Sequence, residues 1–316
     1  MNKVKKKAQL TGHNGSIFSV IADHQEGYIL SGAGDGWVVR WSLDEPDMGK
    51  LVAKVETQIF SMGLLEGQNR IVVGNMNGGV HWVDLDQPDK TRNIAHHQKG
   101  VYAIHQINGD VFTGGGDGII TRWDSQSGES LESLQLSHSA IRGMDFSPRR
   151  NEIAMGASDQ AIYFLDATDL SLKRSIPNAH DSSVFCVRYS ADEEYLYSGG
   201  RDAQLKVWEL DAAPTPIVQK AAHWYTINDL ALSPDGAFLA SGSRDKTIRI
   251  WRTSDFKLVK ALEVVRDQGH INSVNSLLWL PGGELISASD DRRLIVWGNN
   301  SSFEAGASNE ERITHT

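Results

Sequence analysis

Seven copies of one pattern, spaced 40 to 46 residues apart, predict an all-β chain: a seven-bladed β-propeller of four-stranded antiparallel blades. Two further observations support this. Inside each copy the apolar residues recur with period two, and Gly- and Asp-rich turn signals separate the apolar runs.

The pattern is clearest in "SGSRDKTIRIW", residues 241–251. It returns as "SGAGDGWVVRW" ending at Trp41, "TGGGDGIITRW" at Trp123, "SGGRDAQLKVW" at Trp208 and "SASDDRRLIVW" at Trp297. In each, Ser or Thr stands four residues before Asp, and Trp six after it. A His precedes each Asp by 20 to 22 residues. The five sets are His13, Ser31, Asp35 and Trp41; His97, Thr113, Asp117 and Trp123; His180, Ser198, Asp202 and Trp208; His223, Ser241, Asp245 and Trp251; and His270, Ser287, Asp291 and Trp297. Weaker copies end at Val83 and Leu165. The second has Val55, Val73, Asn77 and Val83 at the set positions; the fourth has His138 and Asp159 with Met155 and Leu165.

Ser, His and Asp together suggest a hydrolase, but an active site needs one constellation. Five equally spaced ones describe architecture. The carboxylate can accept the imidazole N–H, the other ring nitrogen can accept the hydroxyl proton, and the hydroxyl oxygen can accept the indole N–H. Each set is thus expected to be a closed structural network.

This rhythm of His, then Trp and Asp, resembles the WD-repeat β-propeller family over residues 8–298. The letters vary: only Trp123 is followed by Asp, at Asp124, and only His13 and His270 follow closely on a Gly, as "GH".

Within a blade, "INDLALSPDGAFLASGSRDKTIRIW" reads as strand, turn, strand, turn, strand, and "FKLVKAL" supplies the fourth strand. Such a sheet is too small to stand alone and must be stacked against neighbours. No fourth strand follows Trp297, while "VKKKAQL" near the start has no blade of its own. The N-terminal strand is therefore expected to complete the last blade, with Lys3, Lys5, Lys6 and Lys7 guarding an exposed edge. Residues 1–300 are expected to form one propeller and the polar residues 301–316 a disordered tail.

Composition narrows the function. The net charge of −9 lacks the basic footprint of a general nucleic-acid binder. The single cysteine, Cys186, excludes an internal disulfide and multi-cysteine zinc sites. "GGGDG", residues 114–118, is a repeat turn without the Lys and helix of a phosphate loop. "AHH", residues 95–97, has no third ligand at metal-binding spacing. No cofactor and no metal are expected. The start lacks the apolar stretch of a secretory signal, and the expected location is the cytoplasm.

Function must sit where the copies differ. The residues after the strand-opening apolar position are Phe18, Phe60, Tyr102, Arg142, Phe185, Asn228 and Asn275. The family resemblance places them at the mouth of the central channel, on the loop-rich top face. Arg201 and Arg244, before two turn aspartates, belong to the same face, and Trp224 and Tyr225 lie on an entering loop. Aromatics are common in strands, yet four in seven equivalent slots suit a protein or peptide partner with a hydrophobic anchor beside acidic residues. The expectation is a non-enzymatic interaction scaffold or adaptor, with no membrane partner. A propeller enzyme acting at the channel mouth is the alternative, and nucleic-acid association ranks third. The enzyme reading requires a perturbed carboxylate or His outside the networks, and the sequence singles out none.

Overall fold

The computed structural model describes residues 4–46 and 49–298. The sequence alternation produces seven antiparallel four-stranded sheets, the blades of a closed propeller. The innermost strands are Ile17–Ala22, Ile59–Leu65, Val101–Ile107, Ile141–Ser147, Val184–Tyr189, Ile227–Leu232 and Val274–Trp279. Each blade runs outward in chain order, except that the N-terminal strand Lys5–Thr11 forms the outer edge of blade seven. It pairs antiparallel with Arg293–Gly298, from Lys5 opposite Gly298 to Thr11 opposite Arg293.

The core is a ring rather than a centre. Seven apolar clusters lie between adjacent blades, one at each junction. Leu10, on the N-terminal strand, is fully buried in the cluster joining blade seven to blade one. Each blade therefore buries both faces only because it has a neighbour on each side.

The glycine of the repeated "SG" and "TG" pairs has a packing reason. A Cβ on Gly32 would stand 2.5 Å from Ile59 Cγ2, and one on Gly114 2.7 Å from Ile141 Cγ2. The strand-opening residue of the next blade fills that space.

One irregularity recurs in all seven blades. Pairing of the innermost strand slips by one residue directly after its first position, between Ile17 and Ser19, Ile59 and Ser61, and at the five equivalent places. The skipped residues are Phe18, Phe60, Tyr102, Arg142, Phe185, Asn228 and Asn275. A β-bulge re-aims its side chain out of the ladder, and here it delivers one residue per blade to the channel mouth.

The N-terminal lysines are partly engaged. Lys6 Nζ donates to Gln9 Oε1 at 2.7 Å, and Lys7 pairs with Glu284 at 3.2 Å. Lys3 and the tail at 301–316 lie outside the described residues. The long connection into blade seven contains the short helix Val264–Asp267, with Val265 fully exposed.

Removing residues 1–11 strips blade seven of its outer strand and of Leu10. The truncated protein is expected to aggregate or to lose its cooperative thermal transition; a melt matching the full chain would exclude this closure as a requirement of the ring.

Candidate functional site

The five Ser/Thr–His–Asp–Trp sets share one geometry. Imidazole Nδ1 lies 2.9–3.1 Å from the carboxylate. Nε2 lies 2.7–2.8 Å from the hydroxyl. The indole N–H donates to that hydroxyl at 2.8–2.9 Å. Indole can only donate, so the hydroxyl accepts from Trp and gives its proton to Nε2. Nδ1 must then carry the proton donated to Asp. The carboxylate also caps both loops: Asp35 accepts the Asn14 N–H at 2.8 Å and the Trp37 N–H at 3.0 Å. The hydroxyl residues Ser31, Thr113, Ser198, Ser241 and Ser287 are completely buried, so no substrate can reach these oxygens.

Charge follows from burial. Burial lowers the pKa of His13, His97 and His223, outweighing their aspartates. For Asp35, Asp117, Asp202, Asp245 and Asp291, burial pushes upward, but the imidazole and backbone N–H bonds prevail and hold each below the ordinary carboxylate range.

Blades two and four differ from the sequence expectation. In blade two the residues at the network positions, Val55, Val73 and Val83, are buried together in the apolar junction with blade one, and a separate polar cluster accompanies them. Asn75 Nδ2 donates to Glu56 Oε1 at 2.6 Å and lies 2.9 Å from His81 Nε2, while His81 Nδ1 is 2.6 Å from Asn93 Oδ1. This polar cluster lies at other offsets, which is why the repeat alignment misses it; Asn75, not Asn77, caps the turn. The Trp82 indole N–H nearby is buried without a partner among the described residues. In blade four His138 is exposed. Ser137 occupies its place, donating to Asp159 at 2.5 Å, and Tyr163 donates to the same oxygen at 2.7 Å. The true spacing to Asp159 is 22 residues, as in blade one. Met155 and Leu165 are fully buried in an apolar junction.

At the mouth, five consecutive blades form an unbroken arc. Phe18 meets Phe60 edge to face at 5.2 Å, and Phe60 stacks on Tyr102 at 5.3 Å. The Arg142 guanidinium lies 4.3 Å from the Tyr102 ring and 5.2 Å from Phe185. Arg142 Nε donates to Ser158 Oγ at 3.0 Å. All these residues are half-buried, with one side on the channel. The other two mouth residues turn inward. Asn228 Nδ2 donates to Ser273 Oγ and Val274 O, and Asn275 Nδ2 to Ile17 O and Asp290 Oδ1. Arg201 and Arg244 are exposed on the outer turns, as are Trp224 and Tyr225 on the loop entering blade six.

Below the mouth the channel opens into about 750 Å³. Its wall is divided. Val20, Ile21, Met62, Leu64, Leu277 and Leu278 make one side apolar, while His105, Arg188 and Asp229 line the other. Arg188 bonds Asp145 at 3.2 Å and the Leu230 carbonyl at 3.1 Å, and stands 4.0 Å from Asp229. Burial lowers the pKa of His105 and raises that of Asp229. This corrects the sequence expectation that no perturbed His or carboxylate lies outside the networks. The signal was the fifth residue of the innermost strand, apolar or small in blades one, two, six and seven but His105, Asp145 and Arg188 in three to five. Its oxygens are occupied: Asp145 accepts the Tyr189 N–H, and Asp229 accepts the Leu230 and Leu277 N–H groups. The group thus ties blades four to seven together along their inner edges. Cys186, beside it, is buried with its thiol pKa pushed well up, so it is no nucleophile. Among the described residues no cluster of three or more His, Cys, Asp or Glu is placed to hold a metal ion, and no helix is long and apolar enough to cross a membrane.

These features define a seven-bladed propeller with a closed framework and a chemically distinct mouth. The family of the WD domain, G-beta repeat, matches residues 4–42, 171–209, 215–252 and 261–298; the chain is a WD-repeat β-propeller. The WD40 propeller domain of Doa1 superposes with a TM-score of 0.83 at 19% identity, covering 96% of this chain and 99% of that one. Sequence relatives include WD repeat-containing protein 1 of Gallus gallus, 23% identical over 70% of this chain and 44% of its own length. Protein tipD of Dictyostelium discoideum is 25% identical over 93% of this chain and 48% of its own length. The chain thus spans less than half of either relative.

Ser241→Ala leaves His223 Nε2 and Trp251 Nε1 without their shared partner. A stability loss of about 1–3 kcal/mol per orphaned group is expected in urea unfolding.

Acid should destabilise the protein in two stages. The lowered histidines take up protons below about pH 6.5 in the unfolded chain but only at lower pH when folded, so stability falls as pH drops through that value. The lowered aspartates contribute fully above about pH 3.9, and their contribution disappears as pH falls further, through the folded-state values. Urea midpoints measured from pH 8 to 3 should show both; a flat profile between pH 7 and 5 would exclude the histidine stage.

Proposed function

We propose that this protein is a non-enzymatic interaction scaffold that binds a protein or peptide partner on its top face, at the channel mouth. The observation that carries the reading is the arc from Phe18 to Phe185, five adjoining side chains presented by bulges toward an open channel. Aromatic and arginine side chains dominate the energetics of protein interfaces. Neither Arg201 nor Arg244 has a side-chain partner among the described residues, both are exposed, and the family resemblance puts their turns on the same face. A partner with a hydrophobic anchor beside Asp or Glu fits that combination, and the net charge of −9 does not oppose it, since local arginines set the field within about 8 Å in physiological salt. Trp224 and Tyr225, 83% and 61% exposed, extend the surface over blade six.

The test is affinity capture from source cells. Phe60→Ala combined with Tyr102→Ala should release the top-face partner, at a cost of about 2 kcal/mol or more in binding, with the thermal melt retained. Capture of every wild-type partner by this double variant would move the site to another face. Arg244→Glu should weaken binding in a salt-dependent way.

A further inference from the structure

Arg142 differs from every other mouth residue. Its guanidinium lies between the Tyr102 and Phe185 rings, and its Nε is held by Ser158. Its two Nη groups have no hydrogen-bond or ion-pair partner among the described residues. The orientation is thus fixed before any ligand arrives, so little side-chain freedom is lost on binding. We infer that Arg142 is a preset carboxylate receptor that selects an extended peptide carrying Asp or Glu two residues from an apolar anchor. This rests on the top-face reading and adds the ligand's chemistry and spacing.

The mouth favours a carboxylate over a phosphate. A planar guanidinium edge matches one carboxylate with two parallel N–H bonds. A phosphate carries up to two charges and three acceptor oxygens. The other polar members of the mouth cannot help it, because the Asn228 and Asn275 amides are already committed. Arg201 and Arg244 stand on the turns of the next two blades rather than in the ring.

The spacing follows from the arc. Arg142 is 4.3 Å from the Tyr102 ring, and Phe60 stands 5.3 Å beyond Tyr102. An anchor seated over the contact between Phe60 and Tyr102 therefore lies farther from the guanidinium than the Tyr102 ring, but no farther than the two distances taken together, just under 10 Å. Residues i and i+2 of an extended chain share a face and stand about 7 Å apart, which fits. Residue i+1 points away, and residue i+4, at about 13 Å, overshoots.

The experiment uses the full chain and acetylated, amidated nonapeptides, so that no terminal carboxylate interferes. Each peptide carries one fixed Phe, with Asp, Asn or phosphoserine placed one to four residues to either side. The wild type should bind Asp at two residues at least about tenfold tighter than Asn there, the scale of a hydrogen bond to a charged group. Arg142→Gln should abolish the Asp-over-Asn ratio while the dependence on Phe remains. Arg142→Lys, which keeps charge but not the planar fork, should lower the ratio. Thermal melts verify that both variants fold. Preference for phosphoserine, a ratio unchanged in Arg142→Gln, no preferred spacing, or no binding at all would overturn the inference. Failure of the top-face reading has a separate signature: peptides that bind but ignore both Arg142→Gln and the Phe60→Ala, Tyr102→Ala pair.

Discussion

A four-stranded sheet with two apolar faces is unstable until both are covered, and in this protein only neighbouring blades cover them. Everything else depends on that constraint. The apolar residues form seven clusters between blades instead of one centre. The ring must close, because an unclosed one would expose two full sheet faces, and closure joins Lys5–Thr11 to Arg293–Gly298 across nearly the whole chain. The Ser–His–Asp–Trp networks serve the same end. In five blades they fasten the entering loop to the turn beyond the second strand, so those sheets keep the shape their neighbours need.

Rigidity of this kind leaves the inner rim free to vary. The bulge after the first residue of each innermost strand is constant in the backbone, while the side chain it presents is not. Where that side chain is aromatic or Arg142, adjacent blades bring the groups into contact and an arc results. Where it is Asn, the amide bonds its neighbour's backbone and seals the ring between blades six, seven and one. One backbone device thus yields a half-exposed arc of aromatic and Arg side chains on one side and a clasp on the other.

The channel shows a second use of the same freedom. Arg188 with Asp145 and Asp229 joins blades four to seven along the channel side of their inner edges. Charged groups are tolerated there because nearly every oxygen and N–H has a partner across a blade boundary. Blades one and two have Ile21 and Gly63 at the matching positions, so the channel is polar on one side only.

Period and spacing alone determined the blade count, the strand order within a blade, the closing strand and the five complete networks. Those features repeat, and repetition makes a weak local signal legible. Sequence also placed Phe18, Phe60, Tyr102, Arg142 and Phe185 in equivalent slots. It did not show that they touch, since contact between blades depends on a bulge and on the curvature of the ring. The single departures were illegible for a related reason. Ser137 stands at the usual spacing from its aspartate but is a different residue type, helped by Tyr163, and Asn75 with His81 and Asn93 form a cluster at offsets the other described blades do not use. Reading His138 as a network member followed from residue type, whereas position in the turn decides which side chain faces Asp159. Packing across blade boundaries, which no single repeat contains, settled what the repeat could not.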